Sequence, residues 1–84
     1  MRIKFAQSSR RHRIGKAHMA HVMANSVPLE ALRESGEQGF DWIGLDDRGI
    51  ELHISAVVTS DDRTGETILL VLHCMPTALR NRNA

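Results

Sequence analysis

The chain has 84 residues, 42% hydrophobic and 25% charged, which fits one small folded domain and excludes both disorder and a second core. A single cysteine, Cys74, excludes an internal disulfide and points to a reducing, cytoplasmic setting. The longest apolar run, residues 68–72, is far short of the ~18–20 residues of a membrane span, and the start Met1-Arg2-Ile3-Lys4 leads into no signal-like stretch.

In chain order, residues 2–6 alternate polar and apolar and read as a short edge strand. Ser8 or Ser9 offers an N-cap to a helical stretch that runs to about Ser26 and that Gly15 can split in two. At 100° per residue Ala17, Ala20, Met23, Ala24 and Val27 form the expected packing face, with His18, His21, Asn25 and Ile14 on another, and Pro28 ends the helix. Residues 28–39 read as a polar connection with at most one helical turn at 29–34. Three strands follow. Residues 40–45 place Phe40 and Trp42 on one face, with Asp41 and Ile43 on the other, and Asp46-Asp47-Arg48-Gly49 is a turn. Residues 50–59 send Ile50, Leu52, Ile54, Ala56 and Val58 inward, with Glu51, His53, Ser55, Val57 and Thr59 outward. After a second turn closed by Gly65, residues 67–75 are apolar on both faces, as in a central strand, and 77–84 form a basic tail.

The net charge of +1 conceals two basic ends around an acidic middle. Residues 1–16 hold six cations and no acid, residues 17–72 hold three arginines against ten acids, and the tail adds Arg80 and Arg82. If the ends meet, they form a patch attractive to nucleic acid.

Five histidines raise the question of a metal, yet the chain has no HExxH or CxxC motif, and no metal is expected. No GxSxG, P-loop or GxGxxG occurs, and Cys74 sits in an apolar strand, where cysteine acts as an inert small hydrophobe. What remains is Arg10, Arg11, His12 and Arg13 near the helix start, with His53, His73 and Arg80 on and after the sheet. RNA cleavage through the 2′-hydroxyl needs a base, an acid and a cation on the phosphate, all of which histidine and arginine supply without a metal. With Phe5, Phe40 and Trp42 as the only aromatics, a broad base-stacking platform is not expected.

The runs Arg11-His12-Arg13-Ile14-Gly15, Trp42-Ile43-Gly44 with Asp47-Arg48-Gly49, and Leu70-Val71-Leu72-His73-Cys74-Met75-Pro76 resemble small actinobacterial proteins of the RelE/ParE-like superfamily, near the BrnT-type toxins of type II toxin–antitoxin modules. The resemblance follows element order through most of the chain. It implies a helical layer over an antiparallel sheet, and metal-independent cleavage of mRNA, often on the ribosome, neutralised by an antitoxin encoded alongside. It also points to the open sheet face and the last strand, hence to His53, His73 and Arg80 as catalytic residues. Lacking tyrosine and having only two lysines, the chain departs from the better-known members, so histidine has to supply the acid or base.

The expectation is therefore one α+β domain over residues 1–84, a short N-terminal strand and one or two helices on a three- to four-stranded antiparallel sheet, with 78–84 as a frayed tail. The expected function is that of a toxin-type mRNA endoribonuclease without cofactor. Its catalytic residues are His53, His73 and Arg80, with acid and base unassigned, and its RNA-binding residues are Lys4, Arg10, Arg11, His12, Arg13 and Arg48. The expected partners are RNA, including ribosome-bound mRNA, and an antitoxin over the basic groove, with a homodimer left open and no membrane. The alternative is a binding module that cleaves nothing, including a gyrase-targeting toxin.

Overall fold

The computed structural model describes residues 2–82, and side chains for 2–79. Its elements are β1 (Arg2–Phe5), a 3-10 turn (Gln7–Arg10), α1 (Lys16–Asn25), β2 (Leu29–Leu32), β3 (Gln38–Leu45), β4 (Glu51–Ser60), β5 (Thr67–Pro76) and α2 (Thr77–Arg82). Among the described residues, five strands make one sheet in the order β1-β5-β4-β3-β2. The class is α+β, as expected, but the sheet is larger and mixed.

Two strands account for the difference. β2, expected as a loop or helical turn, pairs antiparallel with β3 from Leu29↔Asp41 to Leu32↔Gln38. All four of its residues are exposed, so it is held by backbone pairing and leaves no burial pattern in the sequence. β1 pairs with β5 in parallel, from Arg2↔Ile68 to Phe5↔Val71. Because β2 occupies the outer edge of β3, the edge left for β1 is that of β5, which runs in the same direction. Residues 77–82, expected as part of the tail, form α2, while residues 83–84 lie outside the described ones.

Period-two alternation gives the sheet one apolar face, and α1 lies on it. The core joins Trp42, Leu52, Ile54, Ala56, Leu69, Val71 and Cys74 to Ile14, Met19 and Val22. The packing face of α1 is thus Met19 and Val22, both fully buried, with Met23 beside them; the alanine face expected from the sequence is exposed, and so is Val27. Methionine and valine bury more apolar area than alanine, and the larger gain sets the rotation. Gly44 lets α1 come close: a Cβ there would lie 2.0 Å from Ser26 Oγ.

Ser8 and Ser9 do not cap α1. Ser9 Oγ donates to Ala6 O (2.6 Å) and Ser8 Oγ to Leu72 O (2.6 Å), which fastens the 3-10 turn beside β5. Gly15 takes the N-cap position, and Arg13 has φ 58°, so the helical stretch is broken between the turn and α1. No helix among the described residues is long and apolar enough to cross a membrane.

Candidate active site

The sheet face opposite α1 carries His53 and His73. β4 continues its alternation, with Leu52 and Ile54 in the core and His53 and Ser55 on the other face. β5 does not continue its own. Leu69 and Val71 lie in the core, so unbroken alternation would send His73 inward and Cys74 outward. Instead Ala56 pairs with Val71 and Ser55 with His73, which leaves Leu72 as an extra residue. This bulge reverses the phase: His73 faces away from α1 and Cys74 is fully buried. Burial first, with the Asp46 charge adding to it, pushes the Cys74 thiol up to about 11, consistent with an inert core residue.

The register makes a row. Asp41 pairs with Ser55, and Ser55 with His73, straight across three strands. His53 lies on the diagonal to both Asp41 and His73, since its own partners are Ile43 and Met75. The Asp41 carboxylate serves two neighbours: Oδ1 accepts from Ser55 Oγ at 2.5 Å and lies 3.2 Å from His53 Nε2.

On the other side of His73 stands the N-terminal segment. Ala6 N donates to Val71 O (2.9 Å), Ser8 is fastened to Leu72, and the His12 ring meets the His73 ring edge-on with centroids 5.9 Å apart. The basic run is thereby brought to the row. Arg10, Arg11 and Arg13, with Gln7, Ile14 and Gly15, line an open cleft of about 550 Å³. Partial burial lowers the pKa of His73 below its ordinary value, and the charges of His12, His53 and Arg11 lower it further. His73 is therefore neutral at pH 7, the form that accepts a proton.

The expected site residues thus divide. His12, His53 and His73 come together, and Arg10, Arg11 and Arg13 stand beside them. Arg80 falls on α2, and its side chain lies outside the described ones. Lys4 is paired with Asp61 at 3.1 Å. Arg48 belongs to the β3–β4 turn, where its guanidinium donates to Asp46 Oδ2 at 2.7 and 3.0 Å. Both cations are thus paired with carboxylates of this chain. Asp41 and Ser55 are the members not singled out from the sequence. Alternation had put both on the outward face, but their meeting depends on strand register.

Among the described residues, His18, Asp46 and Asp47 have ligand atoms within 4.8 Å of one another. Asp46 is nevertheless saturated: Oδ1 accepts from Arg48 N (2.8 Å) and Ile50 N (3.0 Å), and Oδ2 takes Arg48. Burial raises its pKa, but the Arg48 side chain and the two N–H groups outweigh burial and bring it to about 2. The group reads as the anchor of the β3–β4 turn, which His18 ties to α1 through Asp47 at 2.5 Å.

Comparison of the chain with protein-family models, curated proteins and solved structures gives no match.

Proposed function

We propose that this chain is a toxin-type endoribonuclease that cleaves RNA without a metal, inhibits translation and is neutralised by an antitoxin. The row His12–His73–His53 beside an arginine cleft carries the reading. Two histidines on the sheet face, one of them neutral at pH 7 and the other braced by a carboxylate, with His12 against them and arginines nearby, are the residue types that 2′-hydroxyl transfer requires as acid, base and cations.

In this mechanism His73 takes the proton of the 2′-hydroxyl. The 2′-oxygen attacks phosphorus, and the bond from phosphorus to the 5′-oxygen breaks. His53, oriented by Asp41, gives its proton to the departing 5′-oxygen. Arg11 neutralises charge on the phosphoryl oxygens, while Arg10 and Arg13 hold neighbouring phosphates. The products are a 2′,3′-cyclic phosphate and a 5′-hydroxyl.

The test is induced expression in a bacterial host, followed by growth and RNA integrity, together with the purified protein acting on RNA in excess EDTA. The expected result is growth arrest, EDTA-resistant cleavage leaving those termini, and loss of both in His73→Ala with the fold retained by circular dichroism. Cleavage that survives in His73→Ala refutes the site, and RNA bound but uncut refutes the activity.

A further inference from the structure

The two outer strands of the sheet carry complementary surfaces away from the histidine row. On the β1 side, Ile3, Phe5, Ala20, Met23, Trp42 and Leu69 line a groove of about 280 Å³. Ile3 is 51% exposed. Lys16 stands on its α1 rim, with Nζ 5.7 Å from the centre of the Phe5 ring, and neither β1 nor α1 contains an aspartate or glutamate; Arg2 and Lys4 project from the opposite face, where they meet Glu66 and Asp61. On the β2 side the polarity is reversed. Val27, Leu29 and Leu32 are 86%, 65% and 81% exposed, and Glu30, Glu34 and Glu37 accompany them with Arg33 as the one cation of residues 27–37.

Strand direction makes these surfaces compatible. β1 runs with β5, and direction alternates from β5 through β4 and β3 to β2, so β2 runs opposite to β1. A second copy set edge to edge in the same orientation therefore brings β2 antiparallel to β1. The faces agree as well. Ile3 and Phe5 pair with Leu69 and Val71 on the α1 side, and Glu30 and Leu32 pair with Phe40 and Gln38 on that same side.

We propose that the β2 edge of one copy adds to the β1 edge of a second, with Leu32 set against Ile3 and Glu30 against Phe5, where Lys16 stands. Backbone pairing supplies affinity, and the groove and its cationic rim supply selectivity. The contact is heterologous, since each copy offers two different edges, and it builds a ring or a chain of copies. In this register Arg33 faces Arg2, which already has Glu66 at 3.8 Å, so Arg33 is the one unfavourable member of the pairing. The proposal does not rest on the ribonuclease reading.

Sedimentation equilibrium of the full chain, from micromolar to millimolar concentration, tests it. The expected mass rises with concentration to at least twice the 9.4 kDa of one chain. Ile3→Glu and Leu32→Glu, each folded by circular dichroism, are expected to stay at the mass of one chain when alone. Mixed, they are expected to form a one-to-one dimer and nothing larger, because each keeps the edge the other has lost. Arg33→Glu is expected to associate more tightly than the parent. A constant single-chain mass overturns the proposal, and so does association that survives both substitutions. Failure of the mixed pair to associate overturns it too, because it indicates a symmetric contact or a different partner for these edges.

Discussion

Replacing Asp41 with asparagine separates bracing of His53 from mere packing on the open face. In the parent, one carboxylate oxygen accepts from Ser55 Oγ at 2.5 Å and lies 3.2 Å from His53 Nε2. Asparagine keeps the shape and an acceptor for Ser55 but removes the charge that faces the imidazole. A hydrogen bond to a charged group contributes about 1.5–3 kcal/mol. At 1.36 kcal/mol per tenfold change, losing an interaction of this size from the transition state, where Asp41 holds the His53 ring in its proton-donating orientation, is expected to slow the chemical step by about 10- to 150-fold. The assay is single-turnover cleavage of a short labelled RNA with enzyme in excess, with RNA affinity measured separately on a substrate carrying a 2′-methoxy group at the cleavage position. Slower chemistry with unchanged affinity is the expected result. An unchanged cleavage rate refutes the bracing role, and a loss confined to affinity moves Asp41 from the chemistry to RNA binding.

Three further outcomes follow from other parts of the molecule. Gly44→Ala drives a methyl group to 2.0 Å from Ser26 Oγ, with Ser26 Cβ at 3.2 Å, and is expected to cost about 1–3 kcal/mol by thermal melting, partly recovered in the double variant with Ser26→Ala. Deleting Leu72 removes the extra residue and leaves an unbroken alternation of Val71 inward, His73 outward and Cys74 inward; the variant is expected to keep His73 on the open face and Cys74 protected from a thiol reagent, and a Cys74 that becomes reactive would count against the bulge. Stability is expected to fall with acid in two stages by urea melts. His73 takes up its proton less readily folded than unfolded, so between its folded pKa and 6.5 the unfolded chain holds more protons and stability drops as pH falls through that window, a drop that His73→Gln removes. Asp46, whose folded pKa is about 2 against an ordinary 3.8, contributes stability above pH 3.8 that is lost as pH falls through about 2.

Alternation made β3 and most of β4 legible, including the outward position of His53, and an apolar run marked β5; Val57, read as outward, is buried, and Ile50, read as inward, is 40% exposed. Gly49, at φ 79°, closes the β3–β4 turn as its residues suggest. β2 was not legible: Leu29-Glu30-Ala31-Leu32 buries nothing and draws its structure from a neighbour's backbone. The rotation of α1 was missed because the pattern of small apolar residues carries no information about which ones are large enough to reward burial. At the site, residue types could be named, but their assembly depended on two features without a local signature. One is the extra residue Leu72, which re-aims His73. The other is the register that sets Asp41 beside Ser55 and His53. A bulge is a mismatch between two strands, so one strand's sequence does not contain it.

The parallel pairing of β1 with β5 also governs when the molecule is completed. The earliest strand of this sheet in chain order joins the latest: Phe5 waits for Val71, and His12 for His73. Closing so long a loop is slow compared with forming the hairpins between neighbouring strands. During synthesis β2, β3 and β4 can pair as they emerge, while the N-terminal segment has no edge to join until residues 67–76 are made. The arginine cleft and the histidine row therefore exist together only once residues 67–76 have been made, and a chain that stops short of them carries the arginines without the assembled histidine row.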